Sequence, residues 1–142
     1  MKANILSIGD ELLIGQTLNT NAHWIAGELT QLGISVVHVL TLSDEKEDIV
    51  NSVKKSMDEA DITLITGGLG PTNDDITRDV LCEFFNDELI WDEKIVAALE
   101  GYYNSRGRIL TDDVKDMAKV PKNAKTLYNK MGTAPGVLYQ SN

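Results

Sequence analysis

The chain has 142 residues, 42% apolar and 25% charged, with a formal net charge of -9. That length suits one domain with its own hydrophobic core, in the composition range of an ordinary globular protein. The negative charge argues against general affinity for nucleic acid backbones or anionic membrane surfaces, and the arginines Arg78, Arg106 and Arg108 form no basic stripe.

The lone cysteine, Cys82, excludes an internal disulfide, and no apolar stretch is long enough to cross a bilayer. The amino terminus lacks a signal-peptide layout, so a cytoplasmic protein without nucleic-acid or membrane partners is expected. Residues 3–8 form a short apolar run closed by Gly9, the pattern of a buried strand. From Asn21 to Leu32 the residues Ile25, Leu29 and Leu32 recur at helical spacing, and Gly33 stops the segment. ISVVHVLTL at 34–42 is rich in β-branched residues and predicts a second strand. Asp44 with Glu47 resembles a capping box for a helix carrying Ile49, Val53 and Met57 on one face.

Residues 62–65 predict a third strand running into a glycine-rich loop. A helix opening near Asp74 follows, with Ile76, Val80, Leu81, Phe84 and Phe85 as its apolar stripe; Cys82 within it reads as a small buried residue. Ile95, Val96, Leu99, Tyr102 and Tyr103 mark another helix, and Thr111 caps a short one that ends before Pro121. The tail carries a strand-like piece at 125–128, a loop at 132–136 and a strand at 137–140. Trp24 and Trp91 are expected in the core or an interface, and Tyr102 and Tyr103 in the core. Alternating strands and helices imply βαβ units and a largely parallel sheet covered on both faces. Such sheets bind ligands at the carboxyl ends of their strands, where the loops after Ile8 and Thr66 are predicted to lie.

The second of these loops opens TGGLGPTNDDIT, residues 66–77. It is no P-loop, because Pro71-Thr72 stands where lysine and Ser/Thr belong, and no dinucleotide fingerprint, because position 73 is Asn73. Glycines after a strand and before a helix still let main-chain amides converge on an anion. Asp74 and Asp75 admit two readings. They are ligand groups acting through a cation or a ligand hydroxyl, or Thr72-x-x-Asp75 is a capping box.

TGGLGPTNDDIT, together with GDELLIG at 9–15 and GTAPG at 132–136, resembles the amino-terminal domain of the competence/damage-inducible CinA family, within the wider MoaB/Mog molybdopterin-binding superfamily. Gly67, Gly68, Gly70, Asp75 and Thr77 match the superfamily pattern; Leu69 replaces its threonine, and Asp74 stands where the molybdopterin enzymes usually carry a basic residue. The resemblance implies a three-layer α/β/α sandwich with a mostly parallel, mixed sheet spanning residues 1–142 as one self-associating domain. It also implies a metal-dependent pyrophosphatase acting on ADP-ribose, giving AMP and ribose 5-phosphate. The alternatives are a molybdopterin- or nucleotide-binding role in molybdenum cofactor synthesis, or a non-catalytic ligand-binding or oligomerisation domain.

On the hydrolase reading, Asp74, Asp75 and Glu11 are oxygen ligands suited to a divalent ion, magnesium, manganese or cobalt, with Asp74 and Asp75 at the chemistry. The substrate's diphosphate would lie against Gly9, Asp10, Glu11, Asn21, Gly67, Gly68, Leu69, Gly70, Pro71, Thr72 and Thr77, and against Gly132, Thr133, Ala134, Pro135 and Gly136. Each has a plainer role as well: Asn21 caps the first helix, Glu11 is a solvated carboxylate, and 132–136 is a turn. His23 and His38 lack partners for a metal site. Family members often carry Asp-Thr-Asn where this chain has Asn19-Thr20-Asn21. They also continue past the position of Asn142 with another strand, and long members add an amidohydrolase domain, so on this resemblance the chain is either a fragment of a longer protein or has an incomplete site.

Overall fold

The computed structural model describes residues 1–140. Two compact units form along the chain, Met1–Gly68 and Leu69–Asn142. The first contains β1 (Lys2–Ile8), α1 (Asp10–Leu13), α2 (Thr20–Gln31), β2 (Ser35–Leu42), α3 (Lys46–Glu59) and β3 (Ile62–Thr66). Its sheet has the order β2-β1-β3 and is parallel throughout. Because β2 and β3 flank β1 on opposite sides, right-handed crossovers place α2 and α3 on opposite faces.

The side-chain alternation of β1 confirms this. Ala3 and Ile5 pack with Ala22 and Leu29 of α2. Asn4, Leu6 and Ile8 face the other way, the side on which Ser56 of α3 shares a 2.7 Å hydrogen bond with Thr63, the register partner of Asn4. Burial on both faces explains why the β1 sequence reads as a nearly continuous apolar run. Ile5, Leu6 and Ile8 are at most 2% exposed, and each contributes about 1.5–3 kcal/mol of burial. The buried Asn4 has a specific task. Pairing of β1 with β2 shifts register between Ala3 and Asn4, and the Asn4 Oδ1 accepts the His38 amide at that irregularity.

Three expectations for this unit need correction. Asp44 does not cap α3: Glu45 occupies the N-cap without a side-chain bond, and the Asp44 carboxylate accepts the Asp10 amide instead. Met57 is not on the buried face of α3; Ser56 is, because it pairs with Thr63. Of the two places expected for Trp24, the core is ruled out, since it is 66% exposed.

The second unit contains α4 (Thr77–Phe84), β4 (Leu89–Trp91), α5 (Glu93–Asn104), α6 (Asp112–Asp116), β5 (Lys119–Pro121), β6 (Lys125–Leu127) and β7 (Gly136–Leu138). β4 pairs with β5 and β6 with β7, both antiparallel, so the strands of the chain are mixed in direction. The first of these pairs has no counterpart in the sequence reading. Ile95, Leu99, Met117, Ala118 and Val120 form the core, with Val114 and Leu110 packed against it. Asp92 caps α5 through the amides of Lys94 and Ile95. Thr111 holds the N-cap position of α6 but makes no side-chain bond there.

Asp87 is a hub of this unit: its carboxylate accepts from the Asn123 amide and side chain and from the Tyr139 hydroxyl. Tyr139 in turn stacks on Phe85 with ring centroids 4.1 Å apart. Cys82 is buried, and burial pushes its thiol above the usual range, in keeping with a packing role. Trp91 and Tyr102 are half exposed rather than core residues; Lys119 lies over the Trp91 ring and Arg106 over Tyr102. Helix α4 begins at Thr77, three residues later than the sequence suggests, so Asp74 and Asp75 belong to the preceding turn.

Candidate functional site

In the first unit the predicted residues gather at the carboxyl ends of β1 and β3. Gly67 has φ 98° and Gly68 φ 62°, a conformation open to glycine and strained for other residues. A Cβ on Gly67 would stand 1.9 Å from the Ile8 carbonyl oxygen, so the backbone of the loop rests directly on the end of β1. Asn21, in the first turn of α2, donates from Nδ2 to the Thr66 Oγ1 at 3.4 Å. The helix cap is Asn19, not Asn21: its side chain accepts the Ala22 amide at 3.1 Å. Asn21 is thereby left to reach the strand end.

Beside Thr66 in the register lies Ser7. Its side chain is fully buried, and its Oγ has no hydrogen-bond partner. Ser7 shares the α2 side of the sheet with Ala3 and Ile5, the same side from which Asn21 reaches Thr66. The sequence reading missed Ser7 and Thr66. The available signal was a hydroxyl at the last α2-facing position of an otherwise apolar strand.

The remaining residues of this group serve the local backbone. Asp10 and Asp44 exchange bonds, each carboxylate accepting the other's amide. The Glu11 carboxylate folds back over Gly9, where a Cβ would lie 2.5 Å from its oxygen. Glu11 sits in the helical turn α1 rather than in an open loop.

In the second unit, Asp75 accepts the Thr72 amide at 2.9 Å and the Thr72 hydroxyl. This is half of a capping box, closed as a turn of its own before the helix: the carboxylate reaches back to the Thr72 amide, while the Asp75 amide donates to the Thr72 carbonyl rather than to its hydroxyl. A Cβ on Gly70 would meet the Asp75 carboxylate at 2.6 Å. Gly70, Pro71, Thr72 and Asp75 border a cavity of about 250 Å³ with Arg78 and Asp116. The Arg78 guanidinium donates to the Asp116 carbonyl at 2.7 Å, to its carboxylate at 2.9 Å and to Asp79 at 3.2 Å. Burial opposes that charge, but the two carboxylates outweigh it and hold Arg78 protonated above its usual range.

Thr77 is buried, and its hydroxyl lacks a partner. Gly132, Thr133 and Pro135 border a different cavity, of about 270 Å³. Leu69 and Pro135 meet at a third, smaller one. Ala134 packs on the core, and Gly136 opens β7 against Leu127.

Among the described residues no three His, Cys, Asp or Glu side chains gather as a metal cage. The expected cation ligands are divided between the units, Glu11 in the first and Asp74 and Asp75 in the second.

Residues 4–142 match the family described as a probable molybdopterin binding domain. The chain belongs to this family. It is similar to the CinA protein of Thermoplasma acidophilum, described as of unknown function, with 32% identity, a TM-score of 0.84, and coverage of 96% of this chain and 79% of that one. A CinA-like protein of Cytophaga hutchinsonii is 41% identical over 140 residues, 99% of this chain but 34% of that protein. A protein of Pyrobaculum aerophilum is 45% identical over 137 residues, 96% of this chain and 52% of that one. The chain thus spans about a third to a half of the length of the Cytophaga and Pyrobaculum proteins.

The tungsten cofactor synthesizing protein MoaB of Pyrococcus furiosus shares the fold at 19% identity and a TM-score of 0.59, over 96% of this chain and 78% of that one. The domain is of the CinA type and molybdopterin-binding-like, with the α/β sandwich architecture of MoaB and Mog proteins. Among the described residues no helix is long and apolar enough to cross a membrane.

Proposed function

We propose that this molybdopterin-binding-type domain holds a small phosphate-bearing pterin or nucleotide at the carboxyl edge of β1 and β3. One observation carries the reading: the buried Ser7 Oγ has no partner at the end of the central parallel strand. A buried hydroxyl without a bond costs about 1–3 kcal/mol, and a ligand group at the strand end would relieve that cost. The surroundings favour the same ligand class. Parallel sheets bind ligands at this edge, the first turn of α2 brings partial positive charge for a phosphate, and Gly67 and Gly68 keep the approach free of side chains.

Calorimetry tests this directly. AMP, ADP-ribose and molybdopterin are titrated into the purified chain; at least one gives saturable heat, and Ser7→Ala weakens it about tenfold. No heat with any of the three, or an unchanged affinity in Ser7→Ala, overturns the proposal. Turnover in the same samples then separates the chemistries. Adenylylated pterin formed from molybdopterin and ATP assigns a step in cofactor synthesis. AMP released from ADP-ribose with magnesium, manganese or cobalt assigns the hydrolase instead.

A further inference from the structure

We propose a second binding site, for a small planar aromatic anion, in the 270 Å³ cavity between α5 and the 128–135 segment. It is lined by the second unit alone and does not rest on the reading above. The floor is apolar, made by Ile95 and Leu99 of the buried core. Tyr102 and Tyr128 stand over it with 42% and 50% of their surfaces exposed, so their rings are within reach of a ligand. Lys94 and Lys130 complete the lining, and Lys94 lies 5.5 Å from the centroid of the Tyr128 ring.

Charge decides the sign of the ligand. The chain carries 22 acidic and 13 basic residues, yet this one cavity is bordered by two ammonium groups, Lys94 and Lys130, that form no ion pair with a carboxylate among the described residues. The nearby acid, Asp92, is already engaged: it accepts the Lys94 and Ile95 amides and the Tyr128 hydroxyl at 2.9 Å, which caps α5 and orients the phenol. An anion therefore meets two cations, with the one nearby carboxylate turned to the helix amides and the phenol.

Shape decides the rest. Two phenol rings over aliphatic side chains favour a flat aromatic body over a polyol. The volume lies just below the roughly 300 Å³ at which ordinary ligand pockets begin, room for one or two fused rings and a single acidic group. The wall is preformed as well. Asn129 Oδ1 accepts the Met131 and Gly132 amides, and its Nδ2 donates to the Ala134 carbonyl, fixing the segment that carries Lys130.

The test is an NMR titration of the ¹⁵N-labelled chain with indole-3-carboxylate, with indole and cyclohexanecarboxylate as controls. The expected result is saturable shifts confined to amides of residues 94–102 and 128–135, with both controls binding at least about fivefold weaker. Lys130→Ala, at an exposed position that folding does not need, weakens the carboxylate about fivefold and leaves the indole unchanged. Ser7→Ala changes none of these values, which separates this site from the one proposed above. Failure to saturate, shifts centred elsewhere, or an unchanged affinity in Lys130→Ala overturns the proposal.

Discussion

The end of β3 and the turn at 70–75 carry the same glycine-rich signature but are built on different principles. At Gly67 the obstacle to a side chain is the Ile8 carbonyl, a backbone atom of the central strand that cannot move. At Gly70 it is the Asp75 carboxylate, the far end of a side chain that can swing away. The β3 end keeps a buried hydroxyl, Ser7, without a partner, whereas the turn satisfies its own carboxylate through Thr72. A glycine motif therefore does not by itself mark a ligand site. Unsatisfied hydrogen-bonding groups beside it count for more, and both regions keep one: Ser7 at the β3 end and Thr77 just after the turn.

Four substitutions test that contrast. Gly67→Ala combines a 1.9 Å collision with a positive φ, and it is expected to lose about 4 kcal/mol or prevent folding. Gly70→Ala should cost only about 1 kcal/mol in the same denaturant titration; equal losses would erase the distinction between the two regions. Asp75→Asn should cost about 0.5–1 kcal/mol as the charge-assisted bonds from Thr72 weaken. It should leave ligand affinity at the β1/β3 edge unchanged, and abolished turnover in this variant would return the turn to the chemistry. Ser7→Ala has the opposite sign, raising the stability of the ligand-free chain by up to about 1 kcal/mol. A loss of that size would reveal a partner for the hydroxyl.

The smallest effect is an acid-limb shift. Burial pushes the Asp87 carboxyl upward, but the amides of Glu88 and Asn123, with the Asn123 side chain and the Tyr139 hydroxyl, hold it below the usual range. Folding thus favours the ionised form. Its contribution is complete above the ordinary carboxylate range and fades as the pH falls through the depressed value. Asp87→Asn should flatten the acid side of a stability–pH curve, while Ser7→Ala leaves that side unchanged.

The main elements of the first unit were legible because their signals are local. Alternation and β-branching mark β1 and β2, helical spacing marks α2 and α3, and Gly33 stops α2. What escaped depends on distant partners. Asp44 carries a capping signature, yet Asp10, 34 residues away, claims its carboxylate. Ser56 displaces Met57 from the buried face because Thr63 waits there. β4 and β5 are three residues each and exist only through their mutual pairing, too short for periodicity to register. The glycines of the candidate site announced themselves by clustering directly after a predicted strand and before a helix. Ser7 did not, since a small polar residue in an apolar strand gains meaning only once its neighbours prove unable to bond it.

The exchange between Asp10 and Asp44 fastens the exits of β1 and β2 to each other at the edge where a ligand would arrive. Two loops so tied cannot wander independently. An incoming molecule would meet a rim whose loss of conformational freedom was settled during folding. Cutting that tie should make association more entropically costly without removing any group that touches the ligand.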